Sequence, residues 1–175
     1  MTDFEIAGNH FKLVCYSEII SAPEINQFLK DHHPAICLVD AQTIISVRQI
    51  KIAVMNALAL QKSNQMQCKT IYLEILRCLS PDGRLSSAFK NLAITDKTTQ
   101  AFGIMLDESS EIPQIPGLGP ILDFQSFFDS HKPNFTLINK LYMITEDMLS
   151  VYSYEDIICS TLSIVASDLV RTHGS

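Results

Sequence analysis

Charge is scarce in this chain. Asp, Glu, Lys and Arg make up 18% of its 175 residues, against about a quarter in ordinary globular domains. What charge there is sums to −6, which excludes the broad basic footprint of non-specific nucleic-acid binding but leaves room for a small site on an RNA end. The five cysteines, Cys15, Cys37, Cys68, Cys78 and Cys159, are odd in number and show no CxxC or Cys/His ligand spacing. Zinc is therefore not expected, and neither is any other metal or cofactor. Reduced thiols suit a cytoplasmic and nuclear protein. No apolar run approaches a membrane span, and the opening MTDFEIAGNHFK has no signal core, so no membrane partner is expected. The Asn134-Phe135-Thr136 sequon then reads as coincidence.

Catalytic patterns are missing as well. There is no GxSxG elbow and no characteristic cysteine motif to supply an activated nucleophile. The one glycine-rich stretch, Pro116-Gly117-Leu118-Gly119-Pro120, lacks the Lys-Ser/Thr of a phosphate cradle and is bracketed by prolines. His32 and His33 are adjacent, so their side chains diverge, and they read as surface histidines rather than metal ligands. The chain is expected not to be an enzyme.

What is present describes an ordered protein. Hydrophobic residues make up 47% and mean hydropathy is slightly positive, so 1–175 is expected to be a single domain with its own core. Low charge with this apolar content points to some surface covered by a partner.

The expected fold class is α/β, a single domain with a small mixed sheet packed by several helices. Residues 11–16 suit a strand, and Ser21-Ala22-Pro23-Glu24 opens a short helix that buries Ile25, Phe28 and Leu29 and ends at His32-His33-Pro34. Residues 35–39 have strand composition but are too few for periodicity to decide. Residues 48–62 are helical, with Ile50, Val54, Ala57 and Leu58 on one side, and Ala53, Ala57 and Ala59 permit close approach of a neighbour.

The most informative stretch is 69–106. Ile71, Ile75, Leu76 and Leu79 form a helical face, Ser80-Pro81-Asp82-Gly83 breaks it, and Leu85, Ala88, Phe89 and Leu92 restart the period. Thr95-Asp96 makes a turn before a buried strand at 101–106. Glu74 and Arg77 lie at i, i+3 and are expected to form a surface ion pair. Residues 109–120 form a solvent-facing loop with local mobility. Phe124, Phe127 and Phe128 give a following helix an aromatic core face. Thr145-Glu146-Asp147 starts a short helical turn. Ser153, three residues before Asp156, caps a last helix with Ile158, Leu162, Val165 and Leu169 as a stripe, widened by Ile157 and Ile164.

The order Lys69-Thr70, Glu74, Leu79-Ser80-Pro81, Ala88, Ala93-Ile94-Thr95 and then the strand 102–106 resembles the TPRKB-type kinase-binding subunit of the KEOPS (EKC) complex. The match extends back through Arg48-Gln49-Ile50 and Ala57, and forward to Ile144-Thr145-Glu146 and the last helix. The resemblance implies a non-catalytic adaptor that binds and stimulates an atypical PRPK-type kinase. It also implies indirect partnership with the threonylcarbamoyl transferase and other KEOPS subunits, and a role in recruiting tRNA by its 3′ CCA end for threonylcarbamoyladenosine modification. Carried onto this chain, kinase docking falls to Ile158, Leu162, Val165 and Leu169, one side of which must also serve the core. The tRNA-end site falls to Lys69, Thr70, Tyr72, Glu74 and Arg77. Met55-Asn56 and Gln67-Cys68 replace positions where the family often has a Lys, which weakens the RNA role more than the kinase role. The alternatives are a self-associating scaffold unrelated to KEOPS, and an enzyme in the Pro/Gly loop cleft.

Overall fold

A computed structural model describes residues 2–6, 8–106 and 111–171, with the side chains of these except Ile6 and residues 166–171. In chain order the elements are β1 (Thr2–Ile6), β2 (Asn9–Tyr16), α1 (Ala22–His32), β3 (Cys37–Asp40), α2 (Val47–Lys62), α3 (Ile71–Cys78) and α4 (Leu85–Asn91). They continue with β4 (Ala101–Leu106), β5 (Ile121–Leu122), α5 (Phe124–Ser130), α6 (Phe135–Tyr142), α7 (Glu146–Leu149) and α8 (Tyr154–Arg171). The chain falls into two compact units, Met1–Gln42 with Ala93–Lys132, and Thr43–Leu92 with Pro133–Ser175.

The first unit holds the sheet. Its strands run in the order β1-β2-β4-β3, with β5 also paired to β2. The α/β class is as expected, but every pairing among the described strands is antiparallel, so the sheet is not mixed. The reason is topological. β2 and β3, joined through α1, do run the same way, but β4 lies between them and opposes both, leaving no parallel neighbours. Residues 35–39, undecided from composition, resolve as β3.

β4 is buried along nearly its whole length, because both faces of this sheet are covered. On one face Val14, Tyr16, Ile36, Leu38 and Met105 pack with Ala22 and Ile25 of α1. Gly103 is needed there, since a Cβ would come within 2.7 Å of Ile36 Cδ1 and 3.0 Å of the Tyr16 ring. On the other, Phe102 meets Phe127 of α5 at a ring separation of 4.9 Å, which is the core packing expected of the α5 phenylalanines. α1 starts where Ser21 accepts from the Glu24 N–H at 3.4 Å and stops at His33 in a left-handed conformation (φ 45°).

The second unit is helical. One cluster of its core is Ile138, Tyr142, Ile144, Ile157, Ile158 and Leu162, and Ile50, Val54, Leu60, Ile75, Leu79 and Leu92 of α2 to α4 and their connections are buried as well. Gln49, fully buried on α2, organises the polar centre: its Nε2 donates to Thr43 O and Tyr142 Oη, each at 3.2 Å, and its Oε1 accepts from the Ile45 N–H at 3.0 Å. Tyr142 in turn donates to Leu79 O at 3.1 Å. A buried chain of this kind, with each donor matched, fixes the packing of several helices at once. Asn134 caps α6 by accepting from Leu137 N at 3.0 Å, which gives the asparagine of the sequon a structural role.

Phe89 was placed on the apolar face of α4, yet it is exposed while Ala88 and Leu92 are buried; a seven-residue helix has room for one buried stripe only. Ala59 is exposed, so close packing on α2 rests on Ala53 and Ala57.

Candidate functional site

α3 begins at Thr70, whose Oγ1 accepts from Leu73 N at 3.2 Å, leaving Lys69 exposed just ahead of the helix. One turn in, the structure departs from expectation. Glu74 and Arg77 are not a surface pair: their side chains are 0% and 1% exposed. Arg77 Nε donates to Glu74 Oε1 at 3.0 Å, with a second donation from its Nη2 to the same oxygen. Its Nη1 donates to Gly83 O at 2.8 Å. Glu74 Oε2 accepts from the backbone N–H groups of Gln67 at 3.1 Å and Cys68 at 2.8 Å.

The pair is therefore a clamp. One end holds the approach to α3 at 67–68, and the other holds the Ser80-Pro81-Asp82-Gly83 turn into α4. Burial alone would raise the Glu74 carboxyl, but the bonds from Arg77 and Cys68 and the Arg77 charge outweigh it and hold the group below its ordinary value. Asp82 completes the turn, accepting from Ser80 Oγ at 2.7 Å, Arg84 N at 3.0 Å and Ser87 Oγ at 2.5 Å.

Of the five residues proposed for an RNA end, then, Glu74 and Arg77 are shut away and occupied with each other and the backbone. Lys69 is exposed, and Thr70 and Tyr72 are half-buried. The structure also exposes residues that periodicity had not singled out for RNA: Arg84, Phe89 and Lys90, the last two on α4. An exposed ring next to a lysine was the available signal, missed because Phe89 fitted a helical stripe.

The α8 stripe divides in the same way. Ile158 and Leu162 are 0% and 1% exposed and belong to the core, so they cannot be docking residues: the side of the stripe that serves the protein's own packing is the side they occupy. Val165 is half-buried. The side chain of Leu169 lies outside the described residues. Ile157 and Ile164 are seven residues apart on one face, yet Ile157 is buried and Ile164 is 61% exposed. The cover over that face stops between them. Asn56 of α2 holds α8 by donating from Nδ2 to Leu162 O at 3.1 Å, while Met55 beside it is exposed. The other large exposed apolar side chains among the described residues of this unit are Phe89, Phe135, Met143, Val151 and Tyr152.

The thiols of Cys68, Cys78 and Cys15 are poor nucleophiles. Burial first, then the bond and charge of Glu74, pushes Cys68 up to about 12, and burial pushes Cys78 to about 12 and Cys15 to about 11. No group of three or more metal-ligating side chains occurs among the described residues. His32 stacks on Phe28 with ring centres 4.2 Å apart and its Nδ1 is 3.2 Å from Phe28 O. The glycines of 116–120 serve close packing rather than phosphate, since a Cβ on Gly119 would lie 2.8 Å from Glu18 Cβ. No described helix is long and apolar enough to cross a membrane.

Comparison with known proteins agrees with the sequence resemblance. The model of the family described as Kinase binding protein CGI-121 matches residues 16–166. The EKC/KEOPS complex subunit CGI121 of Candida glabrata is 28% identical over 166 residues, covering 91% of this chain and 90% of that protein. The EKC/KEOPS complex subunit cgi121 of Schizosaccharomyces pombe is 26% identical over 159 residues, 86% of this chain and 88% of its own. The EKC/KEOPS complex subunit TPRKB of Danio rerio is 26% identical over 133 residues, 74% and 76% of the two chains. Matched through nearly all of its elements, this chain belongs to the CGI-121 family of kinase-binding proteins.

Proposed function

We propose that this chain is a non-catalytic subunit of a KEOPS/EKC complex, docking on the complex's atypical kinase and stimulating it. The observation that carries this reading is the family match across 16–166. Because that match runs through both compact units, it also supports treating 1–175 as one functional domain. The apolar side chains left uncovered on the helical unit support a docking role. Docking falls to Ile164 and Val165 of α8, with Met55 of the packed helix α2, in place of the core residues Ile158 and Leu162.

The same reading has the subunit help recruit tRNA through its 3′ CCA end for threonylcarbamoyladenosine modification, with the transferase as an indirect partner in the cytoplasm and nucleus. RNA contact would fall to Lys69, Thr70 and Tyr72 at the start of α3, joined by Arg84, Phe89 and Lys90. Three cations neutralise phosphate locally, and Phe89 offers an exposed ring for a base to stack on. Glu74 and Arg77 hold this hairpin in shape and touch no RNA.

Fluorescence anisotropy with a labelled acceptor-stem RNA tests the RNA part. Binding that weakens when CCA is removed, and again in Phe89→Ala, is expected. Equal binding with and without CCA would remove the RNA role and leave the kinase role standing. Self-association through the same apolar face would instead appear as a homodimer in light scattering of the isolated chain.

A further inference from the structure

The helical unit gathers large exposed apolar side chains on one short segment, 143–156. Met143 is 78% exposed, Val151 72% and Tyr152 59%. Phe135, at the start of α6 and also exposed, has its ring centre 4.7 Å from that of Tyr154. Single apolar side chains are ordinary on a surface, but several on one short segment mark a contact. The segment is held in shape. Ser150 N donates to Glu146 O at 3.0 Å and Tyr152 N to Met148 O at 2.9 Å, and Asp156 N donates to Ser153 Oγ at 3.1 Å.

This surface runs on into the side of α8 assigned to docking. Within the described side chains of α8 the exposed residues are Asp156, Ser160, Ser163 and Ile164. At about 100° per residue they share one arc of roughly 100°, with Asp156, Ser160 and Ile164 at i, i+4 and i+8 along it. The buried Ile158 and Leu162 lie on the opposite side.

Its charge has one sign. Residues 141–170 contain no Lys, Arg or His, while Glu146, Asp147 and Asp156 are exposed and Glu155 is half-buried. Arg48 of α2 stands 3.9 Å from Asp156, so that carboxylate is already answered. Glu146 and Asp147 meet no cation among the described residues. These acids select the occupant. Lipid headgroups of negative charge, RNA phosphates and a second copy of the same surface would each bring like charge against them. A protein surface carrying Lys or Arg would bring the opposite charge.

We propose that α7 and the entry of α8 extend the docking side of α8 and receive a cationic surface of the kinase. Val151 and Tyr152 are the apolar anchors, and Glu146 and Asp147 are the charges that meet the partner. This rests on the kinase-docking reading above and adds the partner's chemistry: Lys or Arg side chains around an apolar patch, with an association that salt weakens.

The test is isothermal titration calorimetry of the full chain against the kinase at about 50 and about 300 mM NaCl, between which screening of exposed charges rises sharply. The wild type should bind about tenfold more weakly at the higher salt. Glu146→Gln with Asp147→Asn should bind about fivefold more weakly than wild type at low salt and within about twofold of it at high salt. Val151→Ser with Tyr152→Ser should lose about tenfold at both. Asp3→Asn with Glu5→Gln, which removes exposed carboxylates from β1 instead, should leave the affinity unchanged. All of these variants should melt as the wild type does.

A complex whose affinity is indifferent to salt would overturn the proposal and leave kinase docking standing. So would unchanged affinity in both the α7 and the Val151/Tyr152 variants, or a loss in the β1 variant as large as in the α7 one. No complex with the wild type at either salt would remove the docking reading and the proposal with it.

Discussion

Among the described residues each unit buries one carboxylate, and the two are treated in opposite ways. Glu74 in the helical unit faces a buried guanidinium and two backbone N–H groups, and its carboxyl is held below the ordinary value. Asp40 in the sheet unit accepts from Thr98 Oγ1 at 2.8 Å and Gln42 N at 2.9 Å. There burial outweighs those bonds and the charge of His131, and the carboxyl is raised. The same division runs through the surfaces. The sheet unit spends most of its large apolar side chains on its two covered faces and exposes Ile20 and Ile121, whereas the helical unit exposes Met55, Phe89, Phe135, Met143, Val151, Tyr152 and Ile164. A unit whose polar interior is locked by a buried ion pair and a matched glutamine can leave apolar surface for a partner without losing its own packing.

The sharpest way to break this contrast is at α8. Leu162→Asp places an unpaired charge in the helical core and is expected to unfold the unit, at a cost on the order of 5 kcal/mol or more, read from the loss of helical circular dichroism. If Leu162→Asp folds normally, the core assignment of the stripe is wrong.

Next in size is the clamp. Arg77→Ala strands a buried carboxylate and should cost about 3–5 kcal/mol in urea denaturation. A loss under about 1 kcal/mol would mean that the pair is solvated and that the surface reading was right after all. Glu74→Gln, which keeps one acceptor for the 67–68 backbone, should cost less than Arg77→Ala.

The two carboxylates give the units opposite pH slopes. Because the folded value of Glu74 lies below its ordinary 4.5, its contribution is present above that value and is lost as pH falls through the folded one. Asp40 is raised above 3.8, so its contribution is full below 3.8 and is lost as pH rises through the folded value. Asp40→Asn should therefore raise stability at neutral pH and remove the part of the profile that falls with rising pH. Arg77→Ala should flatten the acid limb instead. A profile unchanged by Asp40→Asn would show that burial does not govern that group.

The smallest expected change in stability belongs to the surface. Ile164→Asp should shift stability by no more than about 0.5 kcal/mol, as exposed sites do, while weakening docking at least tenfold.

Much of this was legible in the chain. Ser21, Thr145 and Ser153 marked helix starts that the structure repeats, because capping is local chemistry. The strand at 101–106 was visible from its unbroken apolar run, which is how burial on both faces reads in sequence. β1, β5 and α6 were not anticipated: β5 has two residues and owes its existence to pairing with β2. Burial was the least legible property. Glu74 and Arg77 carry the spacing of a surface pair, and only the fold reveals that Gln67, Cys68 and Gly83 close around them. Ile164 and Ile158 look alike in a periodic stripe, and only where the cover stops tells them apart.

We assign kinase docking to the exposed side of α8 on a folded helical unit. It is tested most directly by isothermal titration calorimetry of the chain and its Ile164→Asp variant against the atypical kinase of the KEOPS complex from the same organism. A one-to-one complex is expected for the wild type and at least a tenfold weaker one for the variant, with both proteins melting at the same temperature. No heat of binding from the folded wild type would contradict the docking function itself, and equal affinity of the two would move the docking surface away from α8.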